Sequence, residues 1–167
     1  MGRRISENEF IRAYDELADD IFRFCAFQVR DRERARELMQ DAFMRTWMYL
    51  EAGNEIENLK AFLYKTARNL SINEAVRSKA RSLEELQENV GYDPADEESS
   101  TPQDAAEASI LLQHLSALSE DAQEVLTLRY MNGLAVKEIG EILGAAPNTI
   151  SVRIHRALEE LRKRMHA

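Results

Sequence analysis

The chain has 167 residues, with 22 Lys and Arg against 30 Asp and Glu, a formal net charge of −8 and an apolar share of 44%. That length holds one compact domain or two small ones, and six Gly with three Pro are too few for a turn-rich sandwich or barrel. One cysteine excludes a disulfide framework and a multi-cysteine zinc site, and His114, His155 and His166 stand too far apart for a His-rich metal site, so no metal or cofactor is expected. The opening MGRRISENEF lacks the apolar run of a signal peptide, and no stretch approaches the roughly 18 apolar residues of a membrane span. A cytoplasmic, reducing setting is expected.

Charge is divided unevenly. Residues 1–82 hold 15 bases and 14 acids, residues 83–118 hold 9 acids and no base, and residues 119–167 hold 7 of each. Two stretches run against the total: 60–81 has 6 bases and 1 acid, and 149–167 has 5 bases and 2 acids. Two basic surfaces parted by an acidic connector can still bind a polyanion, because exposed charges more than about 10 Å apart are largely screened.

In chain order, Phe10, Tyr14, Leu17, Ile21, Phe24 and Cys25 form a first apolar stripe at helical spacing. Leu38, Ala42, Phe43, Trp47 and Leu50 form a second, and Leu59, Phe62, Leu63, Ala67 and Leu70 a third. Gly53-Asn54 and Asn58 part the second helix from the third, with Asn58 suited to an N-cap. Three such helices predict a small bundle. Cys25 lies on the buried stripe with no basic cluster beside it, which predicts a core thiol.

The segment LQENVGYDPADEESSTPQD combines prolines, small polar residues and acids, and cannot bury enough apolar surface to offset the entropy of ordering. It predicts a connector over residues 84–103 between helical domains at 1–83 and 104–167. Beyond it, Ile110, Leu111, Leu115 and Leu118 suggest one helix. Ala122, Val125, Leu126 and Leu128–Tyr130 suggest another, capped by Ser119 and ended by Asn132-Gly133. The fold class expected is all-α: two small helical domains joined by an acidic flexible linker, the second ending in a helix-turn-helix.

That motif is read from VKEIGEILGAAPNTISVRIHRALEELRKRM. With Val136 as position 1, Gly140 falls at 5, where two helices crossing closely require a small residue, and Gly144 at 9, where the turn needs a left-handed backbone. Ile139, Leu143, Ile150 and Ile154 fall at 4, 8, 15 and 19, the seam between the helices. Pro147 suits a first turn, with Asn148 or Thr149 as its cap. The second helix then exposes Thr149, Ser151, Val152, Arg153, His155 and Arg156, groups fitted to base edges and phosphates in a major groove.

Residues 118–162, LSEDAQEVLTLRYMNGLAVKEIGEILGAAPNTISVRIHRALEELR, resemble the promoter −35 reading domain of the extracytoplasmic-function (ECF) sigma factors. RDRERARELMQDAFMRTWMYL resembles that family's core-polymerase-binding helix, and LKAFLYKTARNLSINEAVRSK its −10 element helix. The resemblance covers nearly the whole chain in the right order. It implies an alternative sigma factor that binds core RNA polymerase and promoter DNA, with an anti-sigma factor as a further partner and no catalytic residues. Glu37, Gln40, Asp41 and Arg45 would contact the polymerase, while Trp47 packs the bundle. The loop Gly53–Glu57 and the start of the next helix would form a pocket for an extruded base. Lys65, Arg68, Asn69, Asn73 and Arg77 would face the single-stranded −10 DNA, with Tyr64 available to stack a base. Two departures stand out. Glu74 falls on the DNA-facing helix, where it would repel phosphate, and Asn148 stands where the family often has Gly.

Three other readings compete. A dimeric helix-turn-helix regulator of duplex DNA accounts for residues 119–167 but leaves RARELMQDAFMRTW without a role. A sigma mimic that binds regulators fits the acidity but not the basic last helix. An enzyme has no support from a phosphate loop, a nucleophile motif or a paired-carboxylate constellation.

Overall fold

The computed structural model describes residues 1–82 and 101–167. The expected connector lies outside the described residues except for Thr101-Pro102-Gln103, which open a helix. Among the described residues the chain is all-α, apart from one isolated two-residue bridge, and it divides into two compact units.

The first unit is a bundle of α1 (Glu7–Val29), α2 (Arg32–Glu51) and α3 (Leu59–Ser82), each packed on the other two. α1 starts at a capping box: the Glu9 N–H donates to Ser6 Oγ at 3.2 Å, and the Ser6 N–H donates to Glu9 Oε2 at 2.9 Å. Asp31 caps α2 through the Arg34 N–H, and Asn58 caps α3 through the Ala61 N–H, the latter as the spacing predicts. The core is Ile21, Phe24, Leu38, Phe43, Leu63 and Tyr64 with small Ala26, Ala35, Ala42 and Ala67 between them. Small residues at the crossings let three helices approach closely enough to bury large ones beside them. Aromatic edges fill the interface of α1 and α2: Phe43 meets Phe10 at 6.0 Å and Tyr14 at 4.8 Å, and Trp47 leans on Phe10 at 5.0 Å. Cys25 is fully buried, and burial pushes its thiol up to about 11, as befits a core residue.

The second unit holds α4 (Pro102–Ser116), α5 (Glu120–Leu126), α6 (Val136–Leu143) and α7 (Pro147–Met165). Ser119 caps α5 as expected. α5 runs on as a π-helical turn over Thr127–Met131, closed by the Asn132 N–H donating to Thr127 O at 3.0 Å. That wider turn departs from the single helical stripe read over Leu128–Tyr130: Leu128 is fully buried and Tyr130 is exposed. Ile110 and Leu111, assigned to the apolar stripe of α4, are also exposed, while Leu115 and Leu118 enter the core. α4, α5 and α6 each pack on α7, so the last helix is the one around which the unit is built.

Candidate nucleic-acid interface

The helix-turn-helix is set by backbone geometry. Gly144 takes the left-handed conformation (φ 67°) and ends α6. Gly140 is tight for a reason one step removed from the expected helix crossing. A Cβ placed there would lie 2.6 Å from the carbonyl oxygen of Ala145, in the turn itself, and the Ala145 N–H donates back to Gly140 O at 3.0 Å. The turn is therefore folded flat onto α6. Pro147 opens α7, and its N-cap is Ala146, which has no side chain to cap with; Asn148 and Thr149 are already inside the helix. Ile139, Ile142, Ile150 and Ile154 are buried in this unit, and Leu143 is only half-buried, so Ile142 fills the place expected of its neighbour.

These contacts fix the roll of α7. Thr149, Ser151, Val152, Arg153, His155 and Arg156 are all exposed. Asn148, Val152, His155 and Glu159 recur at i, i+4, i+7 and i+11 and mark the line farthest from the core. Arg156 and Thr149 flank that line on one side and Ser151 on the other, while Arg153 lies nearer the packed edge. His155 Nε2 stands 3.5 Å from Glu159 Oε1, so the acid one turn on caps the line. Asn148 lies outside the expected contact set, although it occupies the outermost line at the start of the helix.

On α3, Leu63, Tyr64, Ala67 and Ser71 face the core. Tyr64 is fully buried, its ring in edge-to-face contact with Phe24 at a centroid separation of 5.8 Å, which removes it as a platform for a base. Lys65, Asn69, Asn73 and Arg77 are exposed and Arg68 is half-buried. Lys65 and Asn69 lie on the outermost line with Ile72 and Val76, whose exposure of 64% is the larger; Arg68 flanks one side, Asn73 and Arg77 the other. The loop before α3 is pinned. Ile56 is buried and exchanges two backbone hydrogen bonds with Arg3, Arg3 N to Ile56 O at 3.2 Å and Ile56 N to Arg3 O at 3.1 Å.

Glu74 does not face outward. It is 9% exposed and turned toward α2, where Arg34 Nη2 donates to Oε2 at 3.0 Å and Nε reaches Oε1 at 2.9 Å. That forked pair, with help from Arg77 and Arg81, holds the carboxyl below the usual carboxylate range against the opposing effect of burial. The expected repulsion of phosphate by Glu74 is corrected accordingly: the acid is spent inside the bundle.

On α2, Gln40 and Arg45 are exposed, Asp41 is half-buried, and Glu37 is exposed but ion-paired with Arg34. Met44 and Met48 sit among them, the latter 63% exposed, so this face is a mixed apolar and charged surface rather than a purely polar one.

Comparison with known proteins joins these surfaces. The family model of sigma-70 region 2 matches residues 13–82, and that of sigma-70 region 4 matches residues 108–161. The ECF RNA polymerase sigma factor SigL of Mycobacterium tuberculosis is 28% identical over 166 residues, which is 96% of this chain and 92% of that protein. The ECF RNA polymerase sigma factor SigW of Bacillus subtilis is 27% identical over 169 residues, 95% of this chain and 90% of that protein. The chain belongs to the ECF sigma factors. The fold agrees: the sigma factor RpoE of Bartonella quintana, solved in complex with the anti-sigma factor NepR, superposes with a TM-score of 0.71 at 24% identity, covering 96% of this chain and 98% of that one.

For this sigma factor, region 2 is the bundle and region 4 the helix-turn-helix unit. The region 2 match gives residues 13–82 the role that a dimeric duplex-binding regulator would leave empty. No helix among the described residues is long and apolar enough to cross a membrane. The expected contact sets omit Met44, Met48, Ile72 and Val76 on the two outer faces of the bundle. Their signal lies in the sequence as apolar residues out of step with the buried stripe, at i+1 from Phe43 and Trp47 on α2 and at i+1 and i+5 from Ser71 on α3.

Proposed function

We propose the following division of labour for this alternative sigma factor, which directs transcription initiation. The α2 face carrying Glu37, Gln40, Asp41 and Arg45 docks on core RNA polymerase, with Met44 and Met48 supplying the apolar part of the contact. The outer face of α3, with Lys65, Arg68, Asn69, Asn73 and Arg77, holds the opened −10 strand, and the loop over residues 53–57 forms the wall of a pocket for an extruded base. α7 enters the −35 major groove with Thr149, Ser151, Val152, Arg153, His155 and Arg156 toward the DNA. The segment between α3 and α4 connects the two domains. The protein works in the cytoplasm as a binding subunit and performs no catalysis of its own. An anti-sigma factor that covers these faces is the regulating partner.

The observation that carries this reading is the pairing in one chain of a region 2 bundle with a region 4 helix-turn-helix whose last helix turns a polar and basic face outward. The test is reconstitution with bacterial core polymerase on a library of promoter templates. The wild-type protein should redirect initiation to a subset sharing two short elements. Arg156→Ala should weaken dependence on the −35 element by about 1–3 kcal/mol, the worth of a groove contact, and leave core binding intact. No redirection of start sites, or a variant that loses only thermal stability, would remove the assignment.

A further inference from the structure

Glu74 is the one acid among residues 60–81, beside six bases. It sits next to Asn73 and one turn before Arg77, on the helix assigned to the −10 strand. A carboxylate free to swing outward there would lie within a screening length of a bound phosphate, about 10 Å at 0.1 M salt. Its position in the structure prevents this: one guanidinium donates a hydrogen bond from Nη2 to Oε2 at 3.0 Å and brings Nε within 2.9 Å of Oε1 as an ion pair, holding both oxygens against α2. The third arm of the same guanidinium donates to Glu37, so Arg34 is itself anchored from the other side.

We propose that Arg34 is a positioning residue of the −10 surface that touches no DNA: it masks the charge of Glu74, so that α3 presents a face free of negative charge to the strand. The inference rests on the reading of α3 as the −10 helix. It goes beyond the packing value of the ion pair, because the two ideas predict different patterns. A pair kept for packing alone suffers when either partner is lost, since each removal strands the other group. A mask suffers only when Arg34 is lost. Losing Glu74 removes the charge that needed masking.

The experiment uses full-length protein assembled with core polymerase and measures capture of a pre-melted bubble template, taken from the promoter that the library selects. Arg34→Met should weaken capture about fivefold at low ionic strength, with the loss shrinking as salt is raised. Glu74→Gln should capture as tightly as wild type or more so. Arg34→Met combined with Glu74→Gln should regain wild-type capture, and because Glu37 is equally unpaired in both Arg34→Met variants, the recovery is assigned to Glu74. Melting curves accompany each variant, and Arg34→Lys, which keeps the charge, should retain capture even where its melting temperature falls. If Arg34→Met does not fold, Glu74→Gln still decides: weaker capture by a folded Glu74→Gln protein overturns the mask. So does an Arg34→Met protein that captures like wild type, or a double variant that fails to recover. A wild-type holoenzyme that captures no open strand sinks the reading of α3 and this inference together, whereas wild-type capture with equal losses in both single variants sinks the inference alone.

Discussion

The bundle and the helix-turn-helix unit position their functional faces by different means. In the bundle, α2 and α3 are rolled into place by side chains: interlocked aromatics between α1 and α2, and the forked Arg34–Glu74 pair between α2 and α3. In the second unit, α7 is placed largely by backbone, through a left-handed Gly144 and a turn pressed so closely on Gly140 that no Cβ fits. A face set by many side chains loses stability piecemeal when one is cut back. A face set by a backbone turn depends on one or two positions of that turn and tolerates changes at the exposed positions of the helix.

The largest break in this contrast comes from Phe43→Ala. Phe43 is buried between Phe10 and Tyr14, and its truncation should cost the bundle about 3–5 kcal/mol. Unfolding followed by tryptophan fluorescence reports on this unit alone, because Trp47, beside Phe10, is the one tryptophan in the chain. The second unit should melt unchanged. Gly140→Ala is the counterpart. One methyl group against the Ala145 carbonyl should cost about 1–3 kcal/mol, and the measurement is −35 DNA binding together with hydrogen exchange across residues 136–165. Loss of protection should centre on the turn, with α1–α3 unaffected. Equal loss across both units would mean the two are not independently held.

The smallest effect concerns pH. Glu74 is held below its ordinary range by Arg34, so its folded value lies beneath its unfolded one. The stability it contributes is present in full above the unfolded carboxylate range and is lost as pH falls through the folded value. Acid titration of the bundle should therefore show an added destabilisation below about pH 4.3, the reference glutamate value, which Glu74→Gln abolishes. An identical acid limb in that variant would show that the pair contributes nothing to pH dependence.

Much of the local design is legible in the order of the residues. The caps at Asn58 and Ser119, the left-handed Gly144, the opening Pro147 and the exposed polar set on α7 all follow from residues close in sequence. Other features escape a local reading, and each involves a neighbour far along the chain or a change in helical period. Tyr64 is enclosed by Phe24 from another helix. Glu74 is claimed by a guanidinium forty positions away. Ile56 is buried, and its backbone pairs with that of Arg3 near the start of the chain. Tyr130 turns outward because the π turn adds a residue to its period.

The sequence by itself determined that the chain is helical, that it forms two units, and that its last helix carries an outward basic and polar face, because periodicity, caps and left-handed turns act over a few residues. Tertiary structure alone decided how far α2 and α3 are rolled, and hence which of their polar side chains meet solvent and which meet each other. That choice depends on contacts between residues widely separated in sequence, and no local propensity encodes them.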